Sequence, residues 1–233
     1  MLHVFSLVNR TEPRPEVRNA WASETGHKVL LCLILLVAAA VRLYGIGFGL
    51  PSLNDPDEPL FVMLAIDMLR HHTLNPHWFG HPGTITLYSL ALTLAATGVF
   101  YLATGQATGL DGLIAAAYAN PGLFFLPARV MIAACGVLCV WLTWRLGRKL
   151  GGSAVGLAAA ALLAVNSIHV EQSQIIRTDI QASVFMLLCV LASIEVLRQG
   201  RWRDYVLAGL FAGLACAVKW PSAVILVSPL CAA

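Results

Sequence analysis

Six long apolar stretches constrain the fold of this chain more than any other feature of its sequence. A helix of about 20 apolar residues is long enough to cross the hydrocarbon core of a bilayer. Only 12% of the 233 residues are charged, about half the share that a water-soluble domain carries. The pattern therefore predicts an all-α, polytopic transmembrane helix bundle. Its apolar stretches lie at about 29–48, 84–104, 123–144, 152–170, 180–197 and 205–218.

The two ends of the chain are interpreted from the same pattern. Residues 1–28 are polar and carry three arginines and a lysine, which predicts a cytoplasmic segment ahead of an uncleaved first span. Residues 29–233 are expected to form one transmembrane domain. The last apolar run begins at Ala223 and stops at Ala233, short of the length of a span, so we expect this domain to be incomplete at its carboxyl end.

Basic clusters beside the apolar stretches predict the direction of each crossing. Lys and Arg are enriched in cytoplasmic loops, so segments 10–28, 145–149 and 198–203 are assigned to the cytoplasm. An outer loop then runs from about 49 to 122.

The second apolar stretch, 84–104, raises a problem of parity. An odd number of crossings must separate the outer loop from the basic segment 145–149, yet two apolar stretches lie between them. We predict that 84–104 lies along the outer interface, or dips in and returns, among interfacial helices of the outer loop. The alternative is that both stretches cross and the basic cluster lies on the other side.

Three carboxylates open the outer loop within four residues, at Asp55, Asp57 and Glu58. An amphipathic helix is predicted to follow, from Pro59 to His71. The carboxylates are then either ordinary residues at a helix N-terminus, where the helix dipole favours negative charge, or groups that act on a substrate head group just outside the membrane. Asp57 and Glu58 are the first candidates for catalytic residues.

Four of the seven histidines follow the carboxylates, at His71, His72, His77 and His81. Histidines and carboxylates together can ligate a divalent metal ion, whereas interfacial loops also carry histidine for amphipathic reasons alone. A divalent metal ion is the one cofactor that the sequence suggests. Its candidate ligands, from the residues alone, are these four histidines together with the carboxylates Asp55, Asp57 and Glu58.

Charged residues also stand at the outer ends of later spans. The sequence Arg177-Thr178-Asp179 comes directly before an apolar run, and Lys219 comes directly after one. Ionisable residues inside a helix bundle are usually functional, and Arg177 and Lys219 are candidates for binding a phosphate. The alternative is interfacial anchoring, in which the long side chains extend to the membrane surface.

The order of these motifs resembles the amino-terminal part of lipid-carrier-dependent glycosyltransferases of the GT-C fold. The pattern is similar to that of the protein O-mannosyltransferases (glycosyltransferase family 39) and of the bacterial aminoarabinose transferases of lipid A. The resemblance covers about 40–222. It is carried by Asp57-Glu58, His81-Pro82, Arg129 at the start of an apolar helix, the segment 145–151, and Arg177-Thr178-Asp179.

The resemblance implies an enzyme that moves a sugar from a polyprenyl-phosphate carrier to a lipid, glycan or protein acceptor. The expected location is the plasma (bacterial inner) membrane, with the active site on the outer face. The expected catalytic residues are Asp57, Glu58 and Asp179, and the expected carrier-phosphate or substrate-binding residues are His81, Arg177 and Lys219. The ligands that the resemblance implies for a divalent metal ion are Asp57, Asp179 and His81.

Membrane lipid is a further expected partner, and a net charge of only +3 gives no case for nucleic acid. Two other function classes are compatible with the residues alone. One is a multi-pass transporter or flippase fragment, and the other is a noncatalytic membrane protein that binds a partner through the outer loop.

Overall fold

The fold was determined as a computed structural model, which describes residues 24–52, 55–79 and 83–233, apart from the side chain of Leu110. The described residues form an all-helical bundle without strands, as the sequence predicts. Its elements are α1 (Glu24–Leu43), α2 (Asp57–Arg70), α3 (Thr84–Ala103), α4 (Gly109–Ala119), α5 (Gly122–Ala164), α6 (Ser167–Gln172), α7 (Asp179–Gln199), α8 (Trp202–Val218), a 3-10 helix (Trp220–Leu226) and α9 (Val227–Ala232).

The first span differs from the predicted 29–48 at both of its ends. Helix α1 begins at Glu24 and ends at Leu43, and turns follow it as far as residue 52. The helix stops because Gly45 adopts a positive φ of 68°, a conformation that is cheap only for glycine and that commonly follows a helix end. The carbonyl groups beyond this point are free to bind a side chain from elsewhere in the bundle.

Helix α5 contains the predicted span 123–144 and the first part of the predicted span 152–170, joined by a reversal at Gly152; the helix ends at Ala164, and the short helix α6 follows. Gly152 has φ 84° and ψ −179°, which no helical residue adopts. A Cβ atom built on Gly147 would lie 2.8 Å from the Cα of Gly156, although nine residues of straight helix would separate the two by about 13 Å. The chain therefore folds back on itself, and residues 122–151 and 153–164 form an antiparallel pair, as the break between the apolar stretches predicts.

The two arms of α5 touch backbone to backbone at Gly147 and Gly156. A Cβ on Gly156 would lie 2.7 Å from the carbonyl oxygen of Trp144, so only glycine fits. Small residues four apart often allow such close packing. Gly209 and Gly213 are also four residues apart, but they make no such contact, because nothing lies within 4 Å of a Cβ at either position.

The basic segments 145–149 and 198–203 lie together at one end of the bundle, which we call the basic end. Lys149, in the α5 turn, forms an ion pair with Glu195 near the end of α7. Arg198 donates a hydrogen bond of 2.9 Å to the carbonyl oxygen of Lys149. Segments 145–149 and 198–203 thus occupy the same end, as expected for two loops on one side of a membrane.

Helix α3 contacts the starts of α5 and α7. Near its start, Thr86 donates a hydrogen bond of 2.7 Å to Gln181 in the first turn of α7. Near its end, Tyr101 packs against a small apolar cluster that includes Leu123 in the first turn of α5. Helix α3 is also long and apolar enough to cross a membrane, so the assignment of 84–104 to the outer loop stays a prediction.

Replacement of Gly156 by Ala should destabilise the bundle, because the added methyl group would collide with backbone atoms that cannot move separately. Overpacking of this kind costs about 1–3 kcal/mol. Thermal unfolding of the purified protein in detergent measures the effect. Gly209→Ala is the matched control, since its methyl group meets open space. Equal unfolding temperatures for the two variants would contradict the backbone contact between the arms of α5.

Candidate active site

The charged residues predicted for the outer face come together at the end of the bundle opposite the basic end. They are contributed by the start of α2, the segment before α7 and the residue that follows α8. We call this group the charged cluster, and its members are Asp55, Asp57, Arg177, Asp179 and Lys219.

A buried ion pair between Glu58 and Arg129 lies beneath the charged cluster. The Arg129 Nε donates to Glu58 Oε1 at 2.8 Å and its Nη2 donates to Glu58 Oε2 at 2.6 Å. The exposed fractions of the two side chains are 1% for Arg129 and 0% for Glu58. A pair this well shielded is stable only when its remaining hydrogen-bonding groups are also satisfied.

The rest of this network ties three segments of the chain together. Arg129 Nη1 donates to the carbonyl oxygens of Ile46 and Phe48 at 2.7 and 2.8 Å. The backbone N–H of Ile176 donates to Glu58 Oε1 at 2.9 Å. The pair therefore fixes the turn after α1 and the residue before Arg177 to the start of α2.

Arg177 is held between two carboxylates of the outer loop. Its Nη2 donates to Asp55 Oδ2 at 2.9 Å and lies 3.5 Å from Asp57 Oδ2. The exposed fractions of the side chains are 14% for Asp55 and 48% for Asp57. Asp55 is thus the firm partner of Arg177, and Asp57 is the carboxylate that a substrate can reach.

Lys219 and Asp179 form the second ion pair of the charged cluster. The Lys219 Nζ lies 2.5 Å from Asp179 Oδ1, and the side chains are 29% and 42% exposed. Asp179 opens α7, where the helix dipole favours its negative charge. The contact brings the end of α8 to the start of α7 and leaves both groups open to solvent.

Sequence reasoning did not predict that two arginine side chains are buried in this half of the bundle, or which groups bind them. Besides Arg129, the side chain of Arg42 is fully buried near the end of α1. Arg42 Nη1 donates to the carbonyl oxygens of Ala38 and Ala164 at 2.9 and 3.0 Å, and Nη2 lies 2.8 Å from His169 Nδ1. Arginines within apolar stretches were the available signal, because charges inside a bundle require partners.

His169 lies beside Arg42 and, among the described residues, makes no hydrogen bond to the charged cluster. Because a guanidinium nitrogen can only donate, His169 Nδ1 accepts the hydrogen bond from Arg42. Its role here is structural, since it helps to hold Arg42 against the end of α5.

The predicted metal site lies partly outside the described residues, because His81 does. Among the described residues, no group of three His, Cys, Asp or Glu side chains able to hold a metal ion occurs. Asp57 and Asp179 each lie beside a cationic side chain, and His71 pairs with Asp67 at 3.3 Å on the surface of α2. The divalent metal ion therefore stays a prediction.

The length of the helices and their exposed apolar side chains define the class of protein. Helices α1, α3, α5 and α7 are long and apolar enough to cross a membrane, and α8 is shorter, with 17 residues. Large apolar side chains are exposed along these helices, as in Leu36 and Leu162, which suits a surface that faces lipid. The chain is an integral membrane protein with a polar site at one end.

Comparison with known families adds the chemistry. Residues 122–233 match the family described as dolichyl-phosphate-mannose-protein mannosyltransferase, and this match supports the assignment of the chain to the GT-C glycosyltransferases. Of the site residues, Arg129, Arg177, Asp179 and Lys219 lie inside the matched segment. No curated protein and no solved structure matches the chain.

Replacement of Arg129 by Ala should destabilise the protein by about 3–5 kcal/mol, because it leaves the carboxylate of Glu58 buried without a counter-charge. Thermal unfolding in detergent again provides the measurement. The control is Lys28→Ala, which removes an ion pair with Glu24 whose side chains are 72% and 79% exposed, and it should leave the unfolding temperature essentially unchanged. A similar small effect for Arg129→Ala would show that the buried pair does not hold the site together.

Proposed function

We propose that the charged cluster is the active site of a glycosyltransferase that moves a sugar from a polyprenyl-phosphate carrier to an acceptor hydroxyl. The observation that carries this proposal is the convergence of half-exposed carboxylates and cations from three separate segments at one end of a membrane bundle. The family match supports a donor of the lipid-phosphate-sugar type. We place the reaction on the outer face of the plasma (bacterial inner) membrane, because the site lies opposite the basic end.

Asp57 is the best-placed general base of the charged cluster. Its carboxylate is 48% exposed and lies 3.5 Å from Arg177, with which it forms an ion pair. The backbone N–H of Asp57 donates to Asp55 Oδ1 at 3.0 Å, so the start of α2 is held in place by its own turn. In the proposed reaction Asp57 takes the proton of the acceptor hydroxyl as its oxygen attacks the anomeric carbon of the sugar.

The cations of the charged cluster are placed to receive the leaving group. As the bond between the anomeric carbon and the phosphate oxygen breaks, its electron pair remains on the phosphate, which departs as polyprenyl phosphate. Arg177 and Lys219 can offset that growing negative charge with charge-assisted hydrogen bonds. Asp179 holds Lys219 in position before the donor arrives. A single displacement assisted by one base inverts the configuration at the sugar carbon.

We propose a role for Glu58 that differs from the catalytic role suggested by its position in the sequence. Both of its carboxylate oxygens are bound by Arg129, and its side chain is fully buried. It cannot reach a substrate in this arrangement. We therefore assign it to positioning, because it fixes the start of α2 and the backbone beside Arg177 through one shared carboxylate.

Asp57→Asn should lower the rate of transfer by about 10²- to 10⁴-fold, the range expected for loss of a general base, with the fold unchanged. The measurement follows radiolabelled sugar from polyprenyl phosphate to acceptor in membranes that contain the complete gene product. The matched control is Asp67→Asn. It removes an exposed carboxylate ten residues after Asp57 on the same helix, where the partner of Asp67 is His71, and it should retain activity.

Equal transfer by Asp57→Asn and wild type would remove Asp57 from the mechanism. No transfer from any donor by a well-folded wild-type protein would contradict the proposed enzyme class and favour the transporter alternative.

Lys219→Gln should lower kcat by about 10- to 100-fold, because one charge-assisted contact to the leaving phosphate is worth about 1.5–3 kcal/mol. Steady-state kinetics with a saturating donor separates this effect from weaker binding. Lys28→Gln is the control. Lys28 lies at the basic end of the bundle, away from the charged cluster, and this variant should behave as wild type. A rise in KM with unchanged kcat would mean that Lys219 binds the ground-state donor without assisting departure of the phosphate.

A further inference from the structure

The basic end of the bundle carries more positive charge than its own carboxylates neutralise. Among the described residues it holds seven basic side chains and three acidic ones. Most of the basic side chains have a partner there. The ion pairs join Lys28 to Glu24, Lys149 to Glu195, and both Arg201 and Arg203 to Asp204.

Three of the seven basic side chains make no ion pair among the described residues. Arg198 donates a hydrogen bond to the carbonyl oxygen of Lys149, and the other two are Arg145 and Arg148, whose side chains are exposed. In the described part of the chain neither lies within 4 Å of a carboxylate group. Arg148 feels the charge of Glu24 at longer range, but that carboxylate is bound by Lys28 at 3.0 Å. Two guanidinium groups are thus left with unused hydrogen-bond donors.

Both guanidinium groups are held by tryptophan rings on the same helix. The Cζ of Arg145 lies 5.0 Å from the centre of the Trp141 ring, and the Cζ of Arg148 lies 5.4 Å from that of Trp144. Each pair is four residues apart, so the stacked partners are neighbours on the helix surface. Stacking on an indole restrains a guanidinium while its N–H groups remain free to bind an anion.

The arginines are three residues apart on α5, so they project as neighbours, one turn apart. Leu138, 39% exposed, and Trp141 continue the same face of the helix towards the centre of the bundle. Along the helix axis, this face therefore carries an apolar side chain, then an aromatic one and then two basic ones. That order follows the acyl chain, interface and headgroup of a phospholipid.

We propose that Arg145 and Arg148, held on Trp141 and Trp144, form a binding site for the headgroup phosphate of an anionic phospholipid. The two arginines supply planar donors suited to phosphate oxygens. The exposed apolar side chain of Leu138 lies where the acyl chains would run. The site is at the opposite end of the bundle from the charged cluster, so it is separate from the proposed transfer reaction and would anchor the α5 turn at the membrane surface.

The test measures binding of a fluorescent phosphatidylglycerol to the purified full-length chain in neutral detergent. Arg145→Gln/Arg148→Gln should weaken binding about 30-fold, since each basic residue at an anionic membrane surface contributes about fivefold. Arg145→Lys/Arg148→Lys keeps the charge and loses the planar stacking, and it should give an intermediate loss. Binding of fluorescent phosphatidylcholine should be the same for all variants.

The matched control removes the same charge from the same end. Arg198→Gln/Arg203→Gln leaves the ion pair between Arg201 and Asp204 in place, and it should weaken binding much less than the Arg145 and Arg148 variant. Equal losses in the two double variants would overturn the proposal, because they would show attraction to the general positive charge. Unchanged binding in the Arg145→Gln/Arg148→Gln protein, with an unchanged unfolding temperature, would overturn it as well. Full displacement of the lipid by millimolar inorganic phosphate would also contradict a lipid site.

Discussion

The buried ion pair between Glu58 and Arg129 is the contact on which the candidate active site depends. Removing two charges from water is costly, and here the cost is offset because nearly every donor and acceptor of the pair has a partner. Those partners belong to the turn after α1 and to the backbone of Ile176. Satisfying the pair therefore brings distant segments together. The exposed residues next to it, Asp57 and Arg177, are placed as a consequence.

The bundle separates two kinds of charge chemistry at its two ends. At one end, carboxylates and cations alternate and stay half-exposed, which suits a site where a proton moves and a phosphate departs. At the other end, arginines stack on tryptophans without carboxylate partners, which suits a fixed phosphate at a membrane surface. The close contact of Gly147 with Gly156 holds the arms of α5 that join these ends. The hairpin formed by the two arms of α5 therefore connects the proposed active site with the proposed lipid site.

Much of the architecture could be predicted because apolar length and helix breaks are local signals. The reversal near Gly152 and the grouping of Asp57, Asp179 and Lys219 at one end followed from the pattern of stretches and basic clusters. The pairing of Glu58 with Arg129 could not be predicted, since its partners are 71 residues apart and only the folded chain shows which arginine reaches which carboxylate. Spacing alone does not tell which face of a helix meets a neighbour, since a Cβ on Gly209, four residues before Gly213, would meet open space. The role of His81 stays a prediction, as it lies outside the described residues.

The central claim is that the donor phosphate binds among the charged residues at the end of α8 and the start of α7. Photocrosslinking with a polyprenyl-phosphate sugar that carries a photoreactive group beside the phosphate tests it most directly. Mass spectrometry of the labelled chain should find adducts within 55–58, 177–179 or 219, and an excess of unlabelled polyprenyl phosphate should suppress them. Adducts confined to 145–149, or spread along the lipid-facing helices without competition, would contradict the proposed site.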